Sequence, residues 1–197
     1  QGRSSIVLVP EISLTPQAIE LFQGRFGRDR IAVLHSAMLE SQRLQEWWRI
    51  RSGEARIVVG ARSAIFAPIK SLGLIVIDEE HEPSYKQEDS PRYHAREVAI
   101  ERGKLAGVPV VLGSATPSLE SYEKAKRGLY QLLELTHRID RGPLPRVDIV
   151  DMREEVKLRR GVKIFSRLLL ELLTETLSSR QQAILFLNRR GFATSVA

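Results

Sequence analysis

Cysteine is missing from all 197 residues, which excludes disulfides and thiolate metal sites from this chain. Long apolar runs are missing too. Nothing approaches the roughly 18 consecutive apolar residues of a membrane span. The opening Gln1-Gly2-Arg3-Ser4-Ser5 leads into an apolar run too short for a secretory leader. The expected setting is therefore cytoplasmic, with no membrane partner. Internal repeats and low-complexity tracts are also absent.

Positive charge is present in excess. Thirty Lys and Arg against 24 Asp and Glu leave a net charge of +6, which favours a polyanionic partner such as nucleic acid. The excess is uneven: residues 138–163 hold eight Lys or Arg against five Asp or Glu, alongside Pro143 and Pro145, and read as a basic connector.

Short β-branched runs alternate with helical patterns. Strands are expected at 6–9, 31–34, 57–59, 74–77, 108–112 and 130–135. Helices are expected from Pro16, capped by Thr15, to about Gly27, then from about Glu40 through Leu44, Trp47 and Trp48, then over 93–106 and 118–126. Continuously apolar strands are buried on both faces. With helices between them, they predict a doubly wound parallel α/β sheet. After the connector, a helix over 166–177 and a strand over 183–187 read as the opening elements of a second unit. Trp47 and Trp48 are adjacent on one helix, so one is expected in the core and the other on the surface.

Residues 74–95 read LIVIDEEHEPSYKQEDSPRYHA, four apolar residues running into Asp78-Glu79-Glu80-His81. In open parallel sheets, ligands bind beyond the carboxyl ends of the strands. A carboxylate there suits Mg²⁺ on a nucleotide, with a neighbouring carboxylate polarising the attacking water, the arrangement of a Walker B strand. The structural alternative is an acidic loop that caps the next helix. In LGSATP, Ser114 and Thr116 offer hydroxyls able to relay a hydrogen bond to His81. Thr116-Pro117 also suits a helix start. Residues 9–17, with Pro10, Glu11, Ser13 and Thr15, form a loop entering a helix N-terminus, a place suited to phosphate. In the loop behind the acids, Tyr85, Tyr93 and His94 suit stacking on unpaired bases, and Lys86 and Arg96 suit phosphates. Packing under the following helix is the alternative for Tyr93 and His94. Arg62 and Ser63 follow the third strand, where Arg62 meets either a nucleic-acid phosphate or Glu79 or Glu80. His35-Ser36 ends the second strand at the same edge and is the weaker candidate.

The ordered series VPEISLTPQ, VLHSAMLESQR, VVGARSAIFAP, DEEH, LGSATPSLES and FLNRRGFA resembles the superfamily 2 DNA helicases, and within them the bacterial replication-restart helicases. The resemblance covers essentially the whole chain. It implies RecA-like lobes, with 1–137 as most of lobe 1, 138–165 as the connector and 166–197 as the start of lobe 2. It also implies a 3′→5′ ATP-driven motor with ATP and Mg²⁺ as cofactors. Asp78 would hold the metal, Glu79 would be the general base, and His81 would couple to Ser114-Ala115-Thr116. Pro10, Glu11, Ser13 and Thr15 would touch the DNA backbone. Single-stranded and forked DNA would be the substrates, and primosome and single-strand-binding proteins the partners. The family's Gly-rich phosphate loop is expected before Ile6, and its zinc-binding cysteines after Ala197. Residues 1–197 are therefore expected to be inactive alone. Two rivals follow from the residues: a non-catalytic DNA- or primosome-binding module, and a metal nuclease using Asp78, Glu79 and Glu80. The nuclease is disfavoured because three consecutive acids do not converge on two metals.

Overall fold

The computed structural model describes residues 2–137, 145–158 and 164–186, apart from the side chains of Ile12 and residues 156–158. The chain divides into two compact units, Gln1–Glu134 and Leu135–Ala197. In the first, strands β1 (Ser4–Leu8), β2 (Ile31–Leu34), β3 (Ile57–Gly60) and β4 (Leu72–Ile77) come first in the chain. A two-stranded hairpin, β5 (Lys86–Gln87) and β6 (Tyr93–His94), follows, and then β7 (Val110–Leu112). Helices α1 (Pro16–Phe26), α2 (Glu40–Ser52), α3 (Ala95–Ala106) and α4 (Leu119–Lys126) connect them. The main sheet is wholly parallel, in the order β2-β3-β1-β4-β7.

Each strand sends alternate residues to opposite faces. Ile6, Leu8, Ala32, Val58, Ile75 and Ile77 enter one apolar cluster with Ile50 of α2 and Ala95 and Ala99 of α3. Val7, Val9, Ile31, Val33, Ile57 and Val59 enter another, closed by Leu14 and by Phe22 of α1. Helices therefore cover both faces, and the uninterrupted apolar strands follow from that. Burying each large aliphatic side chain contributes about 1.5–3 kcal/mol. The expected doubly wound α/β sheet is what the first unit forms.

The helix ends follow local chemistry. Thr15 Oγ1 accepts from Ala18 N–H at 3.2 Å, and Pro16 occupies the first turn of α1. Ser118 caps α4, accepting from Ser121 N–H at 3.3 Å. In the second unit, Ser166 caps α6 (Arg167–Ser178), which is preceded by α5 (Met152–Leu158). Arg167 N–H donates to Glu155 Oε2 at 3.0 Å, tying the start of α6 to α5.

Three expectations need correction. Residues 130–135 form no strand; the chain leaves α4 through a turn at Arg127-Gly128 and continues without ladder pairing. Residues 183–186 form no strand either, and Leu187 lies outside the described residues. Trp47 and Trp48 are both exposed, at 40% and 60%, and meet edge to face with centroids 5.0 Å apart. Of α2, only Ile50 is buried, so that helix rests on the sheet edge by a narrow strip.

Gly60 ends β3 where the chain leaves the sheet. A Cβ there would run into the carbonyl of Leu34 and lie 2.7 Å from Ala64 Cβ. Gly60→Ala is expected to cost about 1–3 kcal/mol through overpacking. A urea midpoint unchanged from wild type would show that this contact relaxes freely.

Candidate functional site

The register of the sheet sets Leu8, Ile77 and Leu112 side by side, so β1, β4 and β7 end at one level. Beyond that level the backbones remain stitched. Asp78 N–H donates to Leu8 O at 2.9 Å, Gly113 N–H to Ile77 O at 2.8 Å, and Glu80 N–H to Gly113 O at 3.0 Å. Residues 9–10, 78–81 and 113–116 thus meet at the carboxyl edge.

Glu79 sits at φ +46°, in the left-handed region that costs a non-glycine residue about 1–2 kcal/mol. The turn sends three consecutive acids into three environments. Asp78 points outward and is exposed, with Oδ1 accepting from Glu79 N–H at 3.0 Å. Glu79 is partly exposed, its Oε2 3.5 Å from His81 Nδ1. Glu80 turns into the protein and is 1% exposed. No three His, Asp or Glu side chains gather as a cation cage among the described residues. An accessible strand-end carboxylate such as Asp78 fits Mg²⁺ carried on nucleotide phosphates, because that ion keeps waters and needs only one or two protein carboxylates.

His81 links the acids to the neighbouring loop. Its Nδ1 is hydrogen-bonded to Ser114 Oγ at 2.7 Å, and its Nε2 lies 3.5 Å from Thr116 Oγ1. Ser114 Oγ also accepts from Thr116 N–H at 3.0 Å. The expected constellation Asp78, Glu79, His81, Ser114 and Thr116 is therefore gathered in one place.

Glu80 is the member whose importance its sequence position did not reveal. It accepts from Arg96 Nη1 at 2.7 Å, Ser118 N–H at 2.7 Å, Ser121 Oγ at 2.9 Å and Ser118 Oγ at 3.1 Å. Burial alone would raise its pKa, but Arg96 and the serine donors outweigh that and hold the carboxyl below the ordinary range. Among the described residues, no buried side-chain polar atom lacks a partner.

Several expected nucleic-acid contacts lie elsewhere. Arg96 is 7% exposed and pairs with Glu80, so its guanidinium is withheld from an external phosphate. Tyr85 is 1% exposed in the core, with its hydroxyl donating to Asp78 O at 2.8 Å, so it offers no face to a base. Burial and the nearby acids Asp78, Glu82 and Glu79 push its phenol pKa up. Arg62 meets neither Glu79 nor Glu80. Its Nη1 donates to Ser84 O at 3.1 Å and Lys86 O at 2.6 Å, gripping the loop behind the acids. Pro10 is buried, and Thr15 spends its hydroxyl on the α1 cap. Glu11 accepts from Ser36 Oγ, which joins the loops after β1 and β2.

Lys86, Ser13 and Ser63 remain exposed. Tyr93 is half-buried and packs edge to face on Phe66, with centroids 5.1 Å apart. Phe66 is 57% exposed and escaped attention in the sequence, where a lone aromatic after GARS reads as core. His94 caps α3, Nδ1 accepting from Arg96 N–H at 3.2 Å. Burial and the adjacent Arg96 charge lower its pKa.

Residues 1–125 match the DEAD/DEAH box helicase family, and the chain belongs to that family. More particularly, it is similar over its whole length to proteins named Replication restart protein PriA. It is 56% identical to that of Bacillus subtilis (strain 168) over 197 residues and 46% identical to that of Chlamydia pneumoniae over 198. All of this chain is covered in both cases, against 24% and 26% of the relatives, so it spans about a quarter of their length. Among solved structures it is similar to the C-terminal domain of the DEAD-box protein Dbp5, with TM-score 0.43 and 17% identity, over 66% of this chain and 72% of that one. No helix among the described residues is long and apolar enough to cross a membrane.

Glu80→Ala removes the partner of a buried guanidinium and is expected to cost about 3–5 kcal/mol in urea unfolding. Wild-type stability should fall on acidification in two stages. His94 resists protonation when folded, so stability begins to drop as pH passes below its ordinary value of 6.5. Glu80 titrates below its ordinary 4.5 when folded, so its contribution is complete above 4.5 and lost as pH falls through the lower folded value. His94→Gln should remove the first stage alone. Persistence of both stages in that variant would assign the first to another group.

Proposed function

We propose that this chain is the nucleotide-hydrolysing core segment of an ATP-dependent DNA helicase acting in replication restart, moving 3′→5′ on DNA and rebuilding the replication machinery at stalled forks. The observation that carries this reading is the strand-end trio of Asp78, Glu79 and His81, with His81 hydrogen-bonded across to Ser114. Family membership and the similarity of this whole chain to about a quarter of the PriA relatives' length support it. Asp78 binds Mg²⁺ of Mg-ATP. Glu79 accepts the proton of the attacking water. His81 senses that chemistry through Glu79 and passes it to residues 114–116, whose movement changes the grip on DNA.

In this proposal residues 1–137 are most of lobe 1, 138–165 a basic connector and 166–197 the opening of lobe 2. Single-stranded and forked DNA are the substrates, and primosome and single-strand-binding proteins the partners. Zinc belongs to the longer protein, beyond Ala197. The hairpin of β5 and β6 is the DNA sensor, with Lys86 exposed on it and half-buried Tyr93 packed against the core and against exposed Phe66 from the turn after β3. Arg62, Tyr85 and Arg96 are its mounts: Tyr85 ties the hairpin to the carbonyl of Asp78, and Arg96 ties it to Glu80.

A second reading has one specific observation behind it. No Gly-x₄-Gly-Lys-Ser/Thr run occurs in the 197 residues, so this segment by itself lacks the ring of backbone N–H groups that cradles a triphosphate. Residues 1–197 alone then act as a DNA-binding module, with ATP affinity weaker than micromolar by calorimetry. A micromolar dissociation constant would contradict this second reading.

In the complete protein, Glu79→Gln should cut ATP turnover by about 10²–10⁴ while leaving ATP affinity nearly unchanged. Near-normal hydrolysis would remove Glu79 from the chemistry. Phe66→Ala or Tyr93→Ala should cost about 1–3 kcal/mol in single-strand binding if that ring stacks on a base. Lys86→Ala should flatten the salt dependence by roughly 0.7 units of slope. Tyr85→Phe deletes only the hydrogen bond to Asp78 O, so DNA affinity should hold while DNA-stimulated hydrolysis falls more than basal. Equal loss of both rates would make Tyr85 a packing residue only.

A further inference from the structure

A polar concavity lies at the opposite end of the sheet from Asp78, around the amino ends of β1 and β4 and the carboxyl end of α3. Its volume is about 540 Å³, in the range that holds a small ligand. Arg3, Lys70 and Arg102 line it together with Ser71, and no Asp or Glu is among its lining residues. β4 runs from Leu72 to Ile77, so about 20 Å of strand separates this end from Asp78. One small ligand cannot reach both.

Of the three cations, Arg102 is held in place by hydrogen bonds, while Arg3 and Lys70 are exposed. Arg102 donates through Nη1 to Ile65 O and through Nη2 to Ala67 O, the latter at 2.8 Å. Those carbonyls orient the guanidinium without neutralising it, and burial lowers its pKa. Partly buried charge without a counter-charge is costly and calls for an anion. Arg3 is seated by the absence of a side chain in the strand. A Cβ on Gly73 would lie 2.5 Å from Arg3 Cβ and 3.0 Å from its Cδ, so the arginine stem lies flat across that glycine. Glycine inside a strand often marks such a close approach. Neither Arg3 nor Lys70 forms an ion pair among the described residues. Leu72 and Leu105 complete the wall.

We propose that this concavity is a phosphate-binding site, taking a phosphate group of a free nucleoside phosphate or of a nucleic-acid backbone. Guanidinium forks match phosphate oxygens bidentately, the lysine adds a point charge, and the Ser71 hydroxyl supplies a neutral donor. The site is separate from the candidate nucleotide site and does not depend on that assignment.

The test uses the complete protein without nucleotide, titrated with inorganic pyrophosphate by calorimetry, and variants at Arg3 and Lys70 separate heat from this site from heat at the candidate nucleotide site. Saturable binding is expected, weakened at least about tenfold in the double variant Arg3→Ala/Lys70→Ala, whose exposed side chains can be removed without loss of thermal stability. Gly73→Ala should weaken it too, by displacing the Arg3 stem. Absence of saturable heat in the wild type, or wild-type affinity in the double variant, overturns the proposal. Displacement of pyrophosphate by a short oligothymidylate assigns the phosphate to a strand. Displacement by ADP assigns it to a free nucleotide, and displacement by both supports the shared subsite. If neither displaces it, the site is no biological phosphate site and the proposal fails.

Discussion

The buried pair of Glu80 and Arg96 is the interaction on which the carboxyl edge of the sheet depends. Glu80 leaves β4 at the point where the strand meets solvent, yet its carboxylate is drawn back beneath the surface by Arg96, Ser118 and Ser121. That inward pull accounts for the left-handed conformation one residue earlier. Held at Asp78 by the β1 carbonyl and at Glu80 by the pair, the chain has to turn at Glu79. The strain of about 1–2 kcal/mol persists because the residues on both sides of Glu79 are fixed. The acids proposed for chemistry are aimed by the acid that performs none.

The same network joins three segments that are distant in sequence: the end of β4, the exit of the hairpin at α3, and the start of α4. Ser114 and Thr116, which touch His81, lie immediately before that third attachment. Arg62 adds a fourth attachment from the end of β3 by holding the carbonyls of Ser84 and Lys86. A displacement of the hairpin therefore has short covalent and hydrogen-bonded routes to Asp78, through Tyr85, and to residues 113–118, through Arg96 and Glu80. In the proposed motor these are the routes by which an occupied DNA face reaches the hydrolytic acids.

Much of this was legible in the sequence. Continuous apolar runs foretold a buried parallel sheet, Thr15-Pro16 marked a helix start, and LIVI followed by DEEH placed the acids at a strand end. The start expected at Thr116-Pro117 falls instead at Ser118, which caps α4. The failures have physical causes. Residues 130–135 are apolar enough for a strand, but β propensity acts only where a neighbour supplies a ladder, and none pairs with them among the described residues. Tyr85 and Arg96 looked like exposed binders because aromatic and basic residues in a polar loop usually are. Only the fold reveals the buried carboxylate that Arg96 must neutralise and the core gap that Tyr85 fills. Phe66 was overlooked for the converse reason, since apolar side chains left in solvent carry no mark in a single sequence.

The closed hydrogen bonding around Glu80 also bears on how such a sequence can vary. Each of Glu80, Arg96, Ser118 and Ser121 answers a charge, donor or acceptor on another member. Changing one alone orphans its partner in a low-dielectric interior, while an apolar replacement of the whole set can be nearly neutral. Their effects are therefore non-additive, and any single-step route away from this arrangement crosses a poorly folding intermediate. Exposed Lys86 and Phe66 lie outside that network, so in the proposed DNA sensor they can change residue by residue while the frame beneath them stays locked.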